Sequence, residues 1–255
     1  MCRLRSSQTA STPSLSLSHK LRGLSDLYHC VDELLQLPTN QRTLSQNVPA
    51  KRVEEVLDGS LSLLDICGVL RDILLQLKGC LQDVQSTLRR RCSGEFSITK
   101  EAAEYLKIRK MAKKTIKKCL GSIKKSNKSN DENAAVGMLK DVEDISVDIF
   151  RSFLSYIAGV KQSRRSSWSI FPKFSHPSAE KEKMIPMSNT DAVDATLGLL
   201  VCQKRKSGID LCQIENIRSQ IMKFESEIQD LVEPLECLSR HLIKTRANVL
   251  NILSN

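Results

Sequence analysis

Residues that could act as nucleophiles or as acids and bases occur in this sequence, but their spacing does not assemble a catalytic site. His29 and Cys30 are neighbours, and neighbours on a helix point about 100° apart, which argues against a thiolate–imidazole dyad. The carboxylate pair Glu143–Asp144 lies on the polar face of a predicted helix, where acids are usually solvated. No phosphate-binding glycine loop, nucleophile elbow or paired-histidine metal motif occurs. We therefore expect no enzymatic activity and no cofactor.

The nine cysteines could ligate a metal or form disulfides, but neither use fits their spacing. Their number is odd and no two are spaced as CxxC, which argues against a disulfide framework and against a zinc site. Cys67 and Cys119 fall on apolar helical stripes, which predicts reduced thiols in an intracellular protein, many of them small residues that fill the core. We expect no bound metal.

The informative pattern is a run of positive charge. Residues 89–128 carry fourteen Lys and Arg against three Glu, while the whole chain has a formal net charge of +10. The excess charge of the protein therefore lies in one predicted helix and its approach. Five lysines of this helix fall on adjoining rows and form a candidate face for binding an anion or a partner. They are Lys107, Lys110, Lys114, Lys117 and Lys118.

Three interpretations of this lysine face stay open. Acidic segments of the same chain could match it, since residues 131–148 hold six acids and residues 210–236 hold seven. An anionic membrane surface could attract it, as it attracts other clusters of lysine. Nucleic acid could also bind it. We favour nucleic acid least, because Tyr105 is the only aromatic residue interleaved for base stacking and no nucleic-acid motif occurs.

Residues 162–187 contain three prolines and six serines, which predicts a flexible Pro/Ser-rich loop. Ser166 and Ser167 in this loop are candidate phosphosites, because they follow Arg164–Arg165 in the charge context of a basophilic kinase substrate. A phosphate at either serine would change the local charge.

The elements that must position these residues are predicted to be helices almost throughout. The chain is 40% hydrophobic with ten glycines and 4% aromatic residues, which excludes wholesale disorder and disfavours a β-sandwich or barrel. No apolar stretch is long enough to span a membrane. We expect an all-α fold, an elongated antiparallel helical bundle with long coiled-coil-like helices. Apolar spacing predicts helices over residues 18–37, 48–92, 97–126, 132–161, 189–206 and 214–252.

The last helix has the strongest periodicity. Its stripe from Ile214 to Ile252 alternates steps of three and four, and Thr245 is its one member that is not apolar. A mean repeat of 3.5 residues is typical of a coiled-coil seam. The seam could face helices of the same chain or a second copy, so self-association through residues 214–252 is an open alternative. Pro234 is expected to kink or break this helix.

Composition divides the chain into two parts. Residues 1–17 are rich in serine and contain no acid, which predicts a disordered tail, although an organelle transit peptide has a similar composition. Residues 18–255 are predicted to form one helical bundle domain. We expect an intracellular protein, with the cytoplasm favoured and with membrane-peripheral, nuclear and plastid locations left open.

Several segments together resemble the plant BYPASS-type family, long described as a domain of unknown function. They are residues 18–24 (SHKLRGL), 28–38 (YHCVDELLQLP), 57–68 (LDGSLSLLDICG) and 242–253 (LIKTRANVLNIL), with Arg71–Asp72, Leu88–Arg91 and the Lys-rich third helix. The resemblance covers about residues 18–255. It implies an all-helical plant protein linked to root and shoot development, with no catalytic residue to carry over. Many members have a further Arg/Ser/Pro-rich stretch before the element that begins here at Cys2, so no targeting role of that stretch is assumed.

We therefore hypothesise a non-enzymatic helical scaffold or regulatory protein with unknown protein partners. A first alternative is a peripheral membrane protein that docks anionic lipid through the basic helix 100–128. A second alternative is a nuclear nucleic-acid-binding protein.

Overall fold

A computed structural model of the chain describes residues 13–46, 48–90, 96–123, 134–159, 189–202 and 211–254. These residues form seven helices and no strand, so the all-α prediction is confirmed. The helices are α1 (Pro13–Leu35), α2 (Pro38–Gln46), α3 (Ala50–Arg89), α4 (Phe96–Ser122), α5 (Ala134–Ala158), α6 (Asn189–Cys202) and α7 (Leu211–Ser254). Residues 1–12 and the predicted loop 162–187, with its candidate phosphosites Ser166 and Ser167, lie outside the described residues.

Helix α1 begins earlier than predicted and takes in part of the predicted Ser-rich tail. Residues 13–17 are helical rather than disordered. Pro13 suits a first helical position, because its φ is preset and it lacks an N–H that would be unpaired there. Ser14 and Leu17 are buried, and the Ser14 hydroxyl donates to the Glu227 carboxylate at 3.0 Å. Contacts with a distant helix, which composition does not reveal, therefore order this end of α1.

The sequence does not predict helix α2, because its residues are polar. Leu44 is its only buried residue, so no apolar period marks the helix. Pro38 occupies its first position, and the Asn40 amide donates to the Leu34 carbonyl at the end of α1 at 2.8 Å. The predicted helix over 48–92 is α3 alone. Apart from the start of α1, the ends of the other predicted helices agree to within four residues wherever the structure describes them.

Helix α1 runs parallel to α7. Ser14 contacts Glu227 near one end of the pair, and near the other end the Thr245 hydroxyl donates to the Asp32 carboxylate at 2.6 Å. The Asn248 amide donates to the same carboxylate oxygen at 3.1 Å. Thr245 is thus the polar partner of a buried acid, which explains the one polar position in the apolar stripe of α7.

Paired contacts also fix the directions of the remaining long helices. Helix α3 is antiparallel to α7, as the contacts Arg71–Glu236 and Lys78–Gln229 show. Helix α5 is parallel to α3, through Lys140–Glu55 and Glu143–Gly59. Helix α4 is antiparallel to α5, through Arg109–Ile157 and Arg151–Ile123, and α6 is antiparallel to α7, through Asn189–Glu227 and Thr196–Gln220. The consecutive helices α3, α4 and α5 therefore alternate in direction, whereas the first and last described helices run the same way.

The apolar stripe of α7 is buried within the chain. Its members from Ile217 to Ile252 are buried, and α7 packs against α1, α3 and α6. The sequence left open whether the seam packs on helices of the same chain or on a second copy. The structure shows it packed on helices of the same chain. Self-association through residues 214–252 stays a prediction, and the large apolar side chains that α7 leaves exposed for it are Met222, Ile243 and Leu250.

Helix α7 continues through Pro234, so the predicted break does not occur. A proline lacks the N–H that would bond the carbonyl four residues earlier, which here belongs to Asp230. The Ser18 hydroxyl of α1 donates to that carbonyl at 2.9 Å. The neighbouring helix therefore supplies the hydrogen bond that the proline removes.

We expect Ser18→Ala to lower the free energy of unfolding by about 1–2 kcal/mol, because it leaves the Asp230 carbonyl without a donor. In a Pro234→Ala background the backbone regains its own N–H, and the cost of Ser18→Ala should fall by at least half. Urea unfolding of the four proteins measures this coupling as a double-mutant cycle. Ser62→Ala on the exposed side of α3 is the control. Equal costs of Ser18→Ala in both backgrounds would contradict the assigned role of Ser18.

Candidate functional site

The predicted lysine face lies on α4, on the side of the helix away from the core. All five lysines are exposed. At 3.6 residues per turn they occupy an arc of roughly 100° on the helix surface. The buried side of the helix faces the opposite way and consists of Ile98, Ala102, Tyr105, Arg109, Ala112 and Ile116.

Four of the five lysines are without an ion pair in the described part of the chain. Lys107 lies 3.3 Å from Glu104, one turn earlier on the same helix. Lys110, Lys114, Lys117 and Lys118 have no acidic group within 4.0 Å among the described residues. Like charges three and four residues apart on a helix repel one another. A negatively charged surface placed against this face would therefore be stabilised by relieving that repulsion.

Arg109 is the residue of this region that sequence reasoning missed. The sequence places it in the basic run, but its side chain is only 2% exposed. Its Nε donates to the two carboxylate oxygens of Asp194 at 3.1 and 3.0 Å, and its Nη1 donates to the Ile157 carbonyl at 2.5 Å. Arg109 thus joins α4 to α6 and to the C-terminal end of α5.

Two further side chains of α4 share the Asp194 carboxylate. The Tyr105 hydroxyl donates to Oδ1 at 2.9 Å and the Lys113 ammonium donates to Oδ2 at 2.9 Å. Burial, followed by the charge of Asp194, raises the pKa of Tyr105 above its usual value, so the phenol stays protonated. Three donors of one helix therefore converge on a single acid of α6.

A stripe that alternates strictly between steps of three and four residues would have placed Arg109 on the buried side of α4. The buried positions 98, 102, 105, 109, 112 and 116 are separated by four, three, four, three and four residues, which is the alternation that α7 also shows. Ile108, the neighbour of Arg109, is apolar and lies three residues after Tyr105, so apolar spacing alone places Ile108 on the stripe, but Ile108 is only half-buried. The alternation indicates a buried arginine, whereas its partner Asp194 is visible only in the folded chain.

The acid that pairs with the basic residues of α4 lies outside the two acidic segments that the sequence suggested for this role. Asp194, which binds the buried arginine, belongs to neither of the two predicted acidic segments. Glu227 of the second segment instead accepts hydrogen bonds from three other helices, from Ser14 at 3.0 Å, Tyr156 at 3.0 Å and Asn189 at 2.9 Å. Within the described residues, this acid therefore ties helices together and does not cover the lysine face.

A cavity of about 30 Å³ lies between α1, α3, α5 and α7, lined in part by Tyr28, Glu143 and Arg246. This space suits one water molecule rather than a substrate.

Burial raises the pKa of Glu143 to about 7. Its carboxylate lies against Gly59 of α3, where any Cβ would collide with it. Gly59 therefore marks a close helix contact and leaves room for a half-buried acid.

Neither a metal site nor a membrane span is found in the part of the chain that the structure describes. No three His, Cys, Asp or Glu side chains are grouped there so that they could hold a metal ion. None of the described helices is both long enough and apolar enough to cross a bilayer. Cys67 is buried and Cys119 is half-buried, and burial raises the pKa of the Cys67 thiol to about 12.

Comparison with known proteins identifies one family. A family model described as Protein BPS1 matches residues 20–252, which confirms the resemblance to the BYPASS-type family. The match extends from α1 to α7 and includes α4 with its lysine face. No curated protein and no solved structure gives a match.

We expect Arg109→Met to lower the free energy of unfolding by about 3 kcal/mol, because it removes the buried charged donor that Asp194 and the Ile157 carbonyl share. The matched control is Lys113→Met, which removes a second cation from the same carboxylate. The Lys113 side chain is 44% exposed, so its loss should cost less than about 1 kcal/mol. Urea unfolding of both variants measures the difference, and equal losses would contradict the importance of the buried position.

The raised pKa of Glu143 predicts a pH dependence of stability. Because the folded-state pKa is about 7 and lies above that of an unfolded glutamate, the folded state holds its proton more tightly. The free energy of unfolding should therefore fall as the pH rises from about 5 to 8. We expect this fall to be roughly 1–2 kcal/mol, after allowance for solvent screening of a half-buried group. The substitution Glu143→Gln should remove it.

Urea unfolding at pH 5 and pH 8 measures this effect of Glu143. Glu54→Gln, at an exposed position of α3, is the control and should leave the pH dependence unchanged. The interpretation fails if Glu143→Gln unfolds with the same pH dependence as the wild type.

Proposed function

We propose that this chain, which belongs to the BPS1 family, acts as a non-enzymatic helical scaffold or regulatory protein in plant root and shoot development. It acts through contacts with protein partners. Family membership supports the developmental part of the proposal. The observation that carries the docking part is the exposed lysine face of α4, four of whose members have no ion pair among the described residues.

The lysine face suits an acidic surface on a partner protein. Lys110, Lys114 and Lys117 follow one another along roughly 10 Å of one side of the helix, at 1.5 Å per residue. Carboxylates one turn apart on an acidic helix have a matching spacing. Because these lysines are exposed, the attraction should weaken as the salt concentration rises.

The opposite side of α4 holds the lysines in place before a partner arrives. Its buried residues pack in the core, and Arg109 ties it to α5 and α6. A face on an already ordered helix loses less conformational entropy on binding than one on a mobile segment. This rigidity favours a role as a docking platform.

The same face also supports the alternative of docking on anionic lipid. Clustered lysines are attracted to acidic headgroups, and the side chain of Met111 on the same helix is exposed and could contact the bilayer interface. Nuclear nucleic-acid binding, the second alternative, has the positive charge as its only support.

Charge reversal of Lys110→Glu, Lys114→Glu and Lys117→Glu together should abolish the developmental function. In plants that lack the native protein, the triple variant should fail to restore root and shoot growth, because the partner surface is then repelled. The matched control reverses Lys20, Lys51 and Lys223, which are exposed on three other helices, and should restore growth. Growth measurements, with protein levels checked in each line, decide the outcome.

Vesicle sedimentation separates a protein partner from lipid. With mixed phosphatidylserine–phosphatidylcholine vesicles, the protein-partner proposal expects no cosedimentation of either the wild type or the triple variant. Cosedimentation of the wild type that is lost in the triple variant and at high salt would replace it with the lipid proposal. Full restoration of growth by the triple variant would contradict both.

A further inference from the structure

Helix α6 is held in the bundle by fewer buried residues than its neighbours. Four of its fourteen residues are buried, against eleven of twenty-five in α5. Residues 160–188 and 203–210 connect it to α5 and α7. These connections are 29 and 8 residues long.

The polar contacts between α6 and α4 concentrate on one carboxylate. Tyr105, Arg109 and Lys113 of α4 all donate to Asp194. The three donors belong to a helix that also packs on α3 and α5, and Arg109 donates to the Ile157 carbonyl of α5 as well, so α4 keeps contacts that do not involve α6. In addition, Nη2 of Arg109 is buried and has no hydrogen-bond partner among the residues that the structure describes. Helix α6 therefore leaves one donor of this groove unused.

Apolar side chains flank the acid of α6 at helical spacing. Val193 precedes Asp194, and Leu197 and Leu200 follow it on the buried side. Apolar anchors at this spacing are a common pattern for a helix that binds in a groove. On the outer side of α6, Leu199 is 63% exposed. Helix α6 thus has apolar side chains on more than one side, unlike a typical surface helix.

We propose that α6 is a displaceable intramolecular ligand, and that the groove it fills between α4 and α7 binds an acidic amphipathic helix of a partner protein. The carboxylate of the partner replaces Asp194 on Tyr105, Arg109 and Lys113, and its apolar residues replace those of α6. A second acceptor on the partner can use Nη2 of Arg109. This inference goes beyond the proposed function, because the groove uses none of the five residues of the lysine face.

The test adds a fluorescent peptide with the sequence of residues 189–202 to the full chain. The double variant Leu197→Ala, Leu200→Ala loosens α6 and leaves the donors of the groove intact. We expect the peptide to bind this variant at least ten times more tightly than the wild type by fluorescence anisotropy, because the native α6 no longer competes for the groove. A peptide carrying Asp194→Asn should bind at least ten times more weakly than the unchanged peptide.

Hydrogen exchange on the wild type provides a measurement that needs no variant. Amides of Val193 to Leu200 should exchange at least a hundred times faster than buried amides of α3 and α7, through local opening of α6. Exchange of α6 at the same rate as α3 would overturn the proposal. So would a lack of peptide binding to a double variant that circular dichroism and its unfolding transition show to be folded.

The lysine-face variant separates this inference from the proposed function. Reversal of Lys110, Lys114 and Lys117 touches none of the donors to Asp194. In the Leu197→Ala, Leu200→Ala background at 1 M salt, where the Debye length is about 3 Å, it should change the dissociation constant of the peptide by less than twofold. A loss of tenfold or more would assign peptide binding to the lysine face and overturn the groove as its site.

Discussion

The buried face of α7 is the constraint on which the other helices depend. A helix of forty-four residues with an apolar stripe along its length must be covered by other helices from end to end. Helix α1 covers it in the parallel direction and α3 in the antiparallel direction, while α6 packs on its first half. Helices α4 and α5 pack on α3 in turn. The position of the lysine face is therefore set, through α3, by the length and direction of α7.

Polar contacts fix the alignment that the apolar stripes leave open. A stripe that repeats every seven residues offers similar packing when one helix slides by one repeat along another. Glu227 with Ser14 and Asp32 with Thr245 hold α1 against α7 at two separate points. Arg109 with Asp194 aligns α6 with α4 in the same way. Each of these contacts forms in one alignment only, so a few polar residues specify the arrangement of a mainly aliphatic core.

Periodicity predicted the long helices because the spacing of apolar residues is a local property of the sequence. It did not predict α2, since a helix with Leu44 as its single buried residue has no apolar period. It also misplaced the start of α1, where Ser14 is ordered by an acid 213 residues later. Charge alone was enough to find the lysine face, because solvent-facing residues need no partner. Arg109 was missed because its neighbour Ile108 is apolar, and its partner Asp194 lies 85 residues away in the sequence.

The parallel pairing of α1 with α7 has a consequence for how the chain is made. Ser14 and Asp32 contact residues 213 positions later, so α1 leaves the ribosome long before its partner exists. At about 5–20 residues per second the delay is roughly 10–40 s, whereas a helix forms in about a microsecond. During that delay the side of α1 that α7 will cover is open to chaperones and to other nascent chains. Assembly of α1 with α7 therefore waits for translation of α7, which completes the burial of α1.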